Sequence, residues 1–143
     1  MRQIASCLGP FLMAACSTAP NEGLDARVNL DRTRLARGET VTITVTVSGG
    51  TLQGSSTCLT GYNVLDAMGA VVAPGDVICT ADLVTRSLQR RPYVREFSWA
   101  GYTGSGSSGT PLPAGSYQIV GGTGAPGSVH GSVSAPVNLE LLQ

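Results

Sequence analysis

The chain has 143 residues, with nine arginines and no lysine against nine acidic residues, one histidine and four cysteines. That balance gives no global field to draw it to nucleic acid or to an acidic partner, and the length suits one domain with its own core. Nineteen glycines, with abundant Val, Ser and Thr, favour short strands and turns over helices.

The first fifteen residues read as an export signal. Arg2 supplies a short basic region, and residues 4–15 are mostly apolar, ending in Leu12-Met13-Ala14-Ala15 before Cys16. Small residues before the cut suit a signal peptidase. The run is shorter than the ~20 apolar residues that a bilayer span needs. A cysteine directly after two alanines resembles the lipobox of bacterial lipoproteins, in which the thiol takes a diacylglyceryl group and becomes the mature amino terminus. The resemblance implies a lipid anchor on Cys16 and a protein held at a membrane of the bacterial cell envelope. An ordinary secretory signal cut near Ala15 or Ala19 is the alternative. Residues 16–24, polar with Pro20 and Gly23, then form the lipidated start and a flexible tether, and residues 25–143 form the folded domain. Cys7 leaves with the signal. Cys58 and Cys79 remain as an even pair bound for an oxidising compartment. A disulfide between them would close about 20 residues and stabilise by roughly 3 kcal/mol in the chain-entropy model; two buried thiols are the alternative.

Within the domain, alternation and turn residues set the pattern. Ala26, Val28 and Leu30 alternate with Arg27, Asn29 and Asp31, which predicts a first strand. Arg37-Gly38-Glu39 is a turn. Val41, Ile43, Val45 and Val47 alternate with Thr40, Thr42, Thr44 and Thr46 in the clearest strand of the chain, with the valines and Ile43 facing inward. Residues 48–57 read as a Gly/Ser/Thr loop. Residues 62–66 and 70–73 bracket Ala67-Met68-Gly69 as a hairpin. Pro74-Gly75-Asp76 turns the chain into a strand over 77–88 that carries Cys79. Residues 121–131 read as a flexible Gly-rich connection. Val133, Ala135, Val137, Leu139 and Leu141 share one parity in a last long strand, with Pro136 at an edge or a bulge because it lacks a donor.

The aromatic centre is the stretch 93–120. Tyr93, Arg95, Phe97 and Trp99 share one parity, so Phe97 and Trp99, the only tryptophan, point inward together. Pro113 and Gly115 punctuate the next strand, where Tyr117 and Ile119 share a face. Phe97, Trp99 and Tyr117 are the predicted structural core. Seven or eight short strands separated by turns add up to an all-β, antiparallel, two-sheet sandwich. Phe97-x-Trp99-x-Gly101, then Gly109, then Leu112-Pro113-Ala114-Gly115-x-Tyr117 resembles a unit of bacterial immunoglobulin-like sandwiches. It is similar to the BsuPI-type family, the intracellular proteinase inhibitors, and a similar unit occurs in the Ig-like domain of flagellar hook-capping proteins. The resemblance implies an Ig-like fold and, for function, inhibition of proteinases.

Motifs that carry chemistry are sparse. Gly104-Ser105-Gly106-Ser107-Ser108-Gly109 has the letters of a dinucleotide fingerprint. Thr110-Pro111-Leu112-Pro113 follows, which cannot start the helix that holds a pyrophosphate, so the stretch reads as a mobile surface loop. A Ser-His-Asp hydrolase would have to use His130, which has no acid near it in sequence, and there is no Gly-x-Ser-x-Gly elbow. One histidine and no Cys-x-x-Cys argue against zinc. The expectation is therefore a non-catalytic binding module without cofactor, metal or nucleic acid. It is held on the membrane by its lipid and faces a protein or surface-polymer partner; a proteinase inhibitor is the alternative. Tyr102, directly after Gly101, is a candidate contact. Arg90 and Arg91, with Arg86 and Arg95, form a basic cluster. It reads either as a solvated strand edge or as a docking patch for an anionic surface or partner.

Overall fold

The computed structural model describes residues 21–75 and 77–143. The signal, the Cys16 lipidation site and most of the tether lie outside the described residues, as does Asp76 of the predicted turn. Among the described residues eleven strands follow in chain order: β1 (Asp25–Leu30), β2 (Arg34–Leu35), β3 (Val41–Ser48), β4 (Thr51–Gly54), β5 (Thr60–Leu65), β6 (Val71–Ala73), β7 (Val84–Ser87), β8 (Tyr93–Trp99), β9 (Gly115–Ala125), β10 (Ser128–Val133) and β11 (Val137–Leu141). The fold is all-β, as the composition predicts.

One sheet has the order β1-β3-β8 and is antiparallel throughout. The other has the order β2-β11-β9-β5-β6, with β10 also paired to β9. Here β2 runs parallel to β11, so the sheet is not purely antiparallel. The two sheets pack face to face in a sandwich-like way. Val41, Ile43, Val45 and Val47 of β3 are fully buried and share one core with Tyr62, Val64, Ile119 and Leu139 of the opposite sheet. At Gly121 of β9 the approach is so close that an added Cβ would stand 2.8 Å from Val45 Cγ2 and 3.2 Å from Val28 Cβ.

β4 and β7 form a two-stranded ribbon that continues the first sheet beyond the Ser48 end of β3. Gly49 and Gly50 bend the outgoing chain. Gly49 N–H donates to Leu88 O at 3.3 Å, and Leu88 N–H donates to Gly50 O at 2.7 Å, so pairing carries on across the bend.

Four segments depart from the sequence pattern, each for a physical reason. The predicted loop 48–57 contains β4, whose inward residue Leu52 is fully buried. The predicted strand 77–88 forms only at β7, because residues 77–82 are tied by side chains to residues 55–58 instead of to a neighbouring strand. Residues 121–131 form the hairpin of β9 and β10 and not a flexible connection. Their glycines admit neighbouring backbone: Gly122, for example, has the Ser132 carbonyl where a Cβ would stand. The last long strand is broken between β10 and β11 at residues 134–136, with Pro136 in the break. Ser134 holds the break to β9, since its N–H donates to Gly121 O at 2.7 Å and Gly121 N–H donates to Ser134 Oγ at 2.9 Å.

Candidate functional site: a cleft beside Trp99 and a stapled edge

Trp99 ends β8 opposite Val41 and is fully buried. Gly101 then takes φ +85°, a left-handed turn that suits glycine. The turn swings the Tyr102 carbonyl back to accept a hydrogen bond from Trp99 Nε1–H at 2.7 Å. The Gly/Ser stretch that follows is closed by its own backbone. Thr103 N–H donates to Thr110 O at 2.9 Å, Gly104 N–H to Ser108 O at 3.0 Å, and Leu112 N–H to Gly101 O at 2.9 Å. Tyr117 is buried, and its hydroxyl donates to Pro113 O at 2.6 Å, which ties the Pro-Ala-Gly turn to the start of β9. Burial, and secondarily the charge of Asp66, raises the Tyr117 pKa above its ordinary value. Phe97 is half-buried, because β8 is the outer strand of its sheet and its inward face is covered only in part. Its ring leans on Tyr62 of β5, centroid to centroid 5.2 Å at 55°. Tyr62, outside the core set that parity predicts, is the second largest fully buried side chain among the described residues, and burial raises its pKa.

Beside Trp99 the turn after β2, the Gly101-Tyr102 corner, the prolines 111 and 113 and the end of β11 enclose a cleft of about 590 Å³. Buried Leu35 and Leu141 and half-buried Leu112 line it. Tyr102 and Arg37 supply its phenol and its cation. Arg32 and Arg34 pair with Glu39 at 3.4 Å and Glu140 at 3.3 Å, whereas Arg37 forms no ion pair among the described residues. Among the described residues, no carboxylate side chain, histidine or thiol lines the cleft. Its size falls within the ~300–1,000 Å³ usual for ligand pockets. The arrangement suits an apolar body with a negative or hydrogen-bond-accepting end. Tyr102, expected as a contact from its place after Gly101, lines this cleft. Arg37 was not expected there, since in sequence it is only a turn residue.

The Ser48 end of the sandwich carries the second constellation. Cys58 and Cys79 are joined in a disulfide with their Cα atoms 5.7 Å apart. Around the bond, Thr80 N–H donates to Thr57 Oγ1 at 3.0 Å, Ser56 N–H donates to Asp82 Oδ1 at 3.2 Å, and the Ser55 and Thr80 hydroxyls meet at 2.9 Å. Bonds from Ser56 first and Thr80 next hold the Asp82 pKa down at about 2. A depressed carboxyl contributes above its unfolded pKa and loses that contribution as pH falls through the folded value, so this network holds its charge throughout ordinary conditions. Arg95 reaches in from β8, where its Nη1–H donates to Thr57 O at 2.7 Å and its guanidinium lies 4.9 Å from the Phe97 ring centre. Arg86 lies 5.7 Å from the Tyr93 ring centre. Arg90 and Arg91 are exposed in the bend between β7 and β8 and form no ion pair among the described residues. Ile78 is 95% exposed and Leu83 71%.

Tyr102 and the Arg90-Arg91 pair, both marked as contacts by sequence, therefore stand at opposite ends of the β3–β8 pairing. Reduction of the disulfide is expected to lower stability by roughly 3 kcal/mol and to loosen residues 55–58 and 77–83 first, since only exposed polar contacts would then join them. Hydrogen exchange on the reduced protein reads this directly; unchanged protection in both segments would refute it.

His130 stands exposed on β10 with Nδ1 3.0 Å from Ser128 O, and no carboxylate bonds it among the described residues. Among the described residues no group of three or more His, Cys, Asp or Glu side chains could hold a metal ion, and no helix is long and apolar enough to cross a membrane. Neither a protein-family model nor a curated protein matches the chain.

Proposed function

We propose that the protein is an exported lipoprotein, anchored through Cys16, whose single Ig-like domain binds a protein or surface-polymer partner in the cell envelope without catalysing a reaction. The cleft beside Trp99 carries the reading. It offers an apolar floor, one phenol and a cation that forms no ion pair among the described residues, and no acidic side chain, histidine or thiol is among its described lining residues. It also opens at the end of the sandwich away from the tether. About 24 Å of β3 separates the two ends, from eight residues at the usual strand rise. The bond from Tyr117 to the Pro113 carbonyl supports the Ig-like assignment, because a tyrosine bonded back to backbone a few residues upstream marks that sandwich. The disulfide departs from that pattern, since it joins two loops rather than the two sheets.

Tyr102→Ala and Arg37→Gln are each expected to weaken partner capture about tenfold, a loss of ~1.4 kcal/mol, with unchanged melting behaviour. Pull-down from envelope extracts with the parent protein and both variants tests this. An identical set of captured species from all three would remove the cleft as the site. The mass of the amino-terminal peptide tests the anchor; a mature chain starting anywhere but at a diacylated Cys16 refutes it.

The stapled segment that presents Ile78 favours a second reading, proteinase inhibition. A substrate-like inhibitor gains affinity from a pre-organised exposed segment, and this one is held by a disulfide and by Thr80 and Asp82. Lack of inhibition across a panel of serine proteases at micromolar domain concentration would eliminate it.

A further inference from the structure

The place where the tether joins the domain fixes which side faces the membrane. Asn21 lies against β4: its N–H donates to Thr51 O at 3.0 Å, its Nδ2–H to Gln53 O at 2.7 Å, and its Oδ1 accepts from Gln53 N–H at 3.0 Å. On the other side of β4, Gln53 Nε2–H donates to Thr85 Oγ1 of β7 at 3.0 Å. Asn21 is thus two strand spacings from β7, about 10 Å. Cys16 precedes it by five residues, a reach of at most about 18 Å. An acyl chain on Cys16 therefore keeps this edge within a short distance of the bilayer.

The edge has the composition of a membrane-docking surface. Ile78 and Leu83 project into solvent from a stapled segment, and Leu83 leads directly into β7. Arg86, Arg90 and Arg91 follow on β7 and its bend, all exposed. In sequence, residues 76–91 set these three cations against two carboxylates, Asp76 and Asp82; Asp82 is occupied by Ser56 and Thr80. Glu22 is exposed beside Asn21, on the far side of β4 from β7. Apolar side chains flanked by arginines that form no ion pair among the described residues suit the interface of an anionic bilayer, the one insertable and the other drawn to the headgroups.

We infer that the edge formed by Ile78, Leu83, Arg86, Arg90 and Arg91 docks on the anionic lipid surface that holds the anchor, so that the cleft beside Trp99 points away from it. This rests on the lipoprotein reading for its proximity, while the surface itself is a property of the folded domain. A protease cleft is the competing occupant of Ile78. Proximity to the tether and the three neighbouring arginines favour lipid.

The test uses the mature protein bound to vesicles with brominated acyl chains. Trp99, buried at the far end, is an internal reference that the bromines do not reach. Ile78→Trp adds a second tryptophan, whose emission is expected to be quenched on phosphatidylglycerol vesicles, weakly quenched on phosphatidylcholine vesicles, and released in roughly 1 M salt, where the screening length falls to about 3 Å. Replacing one of the three arginines by glutamine is expected to weaken docking about fivefold, and replacing all three roughly a hundredfold, with the thermal transition unchanged. Ile78→Trp emission that stays unquenched on vesicles carrying the protein overturns the proposal, as does emission that responds to an added serine protease but not to lipid. If the amino-terminal peptide carries no diacylglyceryl group, the anchor reading fails by itself. Flotation of the same protein with the same two vesicle types then decides the docking: selective flotation with the anionic vesicles sustains it, and none refutes it.

Discussion

Replacing Trp99 with alanine is expected to cost about 3–5 kcal/mol, a large part of the ~5–15 kcal/mol that holds a small domain folded. Two losses add. The ring is fully buried at the point where β8 meets the first residue of β3, so its removal leaves a cavity between Val41 and the loop that follows. The indole N–H is also the donor that holds the Tyr102 carbonyl, so that acceptor loses its partner as well. Trp99→Phe restores most of the volume and not the donor, and should fall between the parent and the alanine variant. Chemical denaturation of the three proteins separates packing from hydrogen bonding. The same series reads the cleft: if Tyr102 is positioned by the indole, Trp99→Phe should weaken partner capture by more than its small effect on stability explains. An alanine variant with parental stability would show that Trp99 is not what closes this end of the core.

The parts of this architecture that were legible in the sequence are those in which one residue type has one use. In β3 the Val/Ile and Thr alternation leaves a single register, and its four inward positions are fully buried. Met68-Gly69 sits in a turn capped by Asp66, whose Oδ1 accepts from Met68 N–H and Ala70 N–H, both at 2.9 Å. The pairing of Cys58 with Cys79 followed from the count of cysteines together with the expected export. Glycine misled, because it has two uses that look alike in one dimension. In residues 121–131 it serves close backbone approach inside a hairpin, whereas its density suggests a loop. The short strand β4 was lost for a similar reason, with one buried leucine among Gly, Ser and Thr giving no period to read. Phe97 and Tyr62 show a further limit: parity places a residue on a face, but only the order of strands says whether another strand covers it. The cleft needed four separate segments to converge, so Arg37 carried no signal in sequence.

A large effect of a single methyl group is expected at Gly61. This residue lies in β5 opposite Gly122 of β9 and is buried. A Cβ built on it would stand 2.6 Å from the Ala125 carbonyl carbon and 2.8 Å from Gly124 O, with Pro126 N closer still. All three obstacles are backbone, so none can turn aside as a side chain could. They are also fastened to β5 on both sides of Gly61, by Gly124 N–H to Leu59 O at 3.2 Å and Gly127 N–H to Tyr62 O at 2.8 Å. Relief would require peeling the β9–β10 hairpin away from β5. Gly61→Ala should therefore lose more than about 4 kcal/mol, the range reserved for severe steric or polar defects, and Gly61→Val should not fold. Gly69→Ala supplies the comparison. Its φ of +82° is strained for alanine, but nothing lies within 4 Å of the new methyl, so its cost should stay near 1–2 kcal/mol. Gly121→Ala should fall between them, since the nearest obstacle there is Val45 Cγ2 at 2.8 Å, a side-chain atom with some room to shift. Denaturant titration of the three alanine variants gives the ranking. If Gly61→Ala proved no more costly than Gly69→Ala, the β9–β10 hairpin could not be folded over β5 as described, and the close backbone approach that explains the glycines of β9 would fall with it.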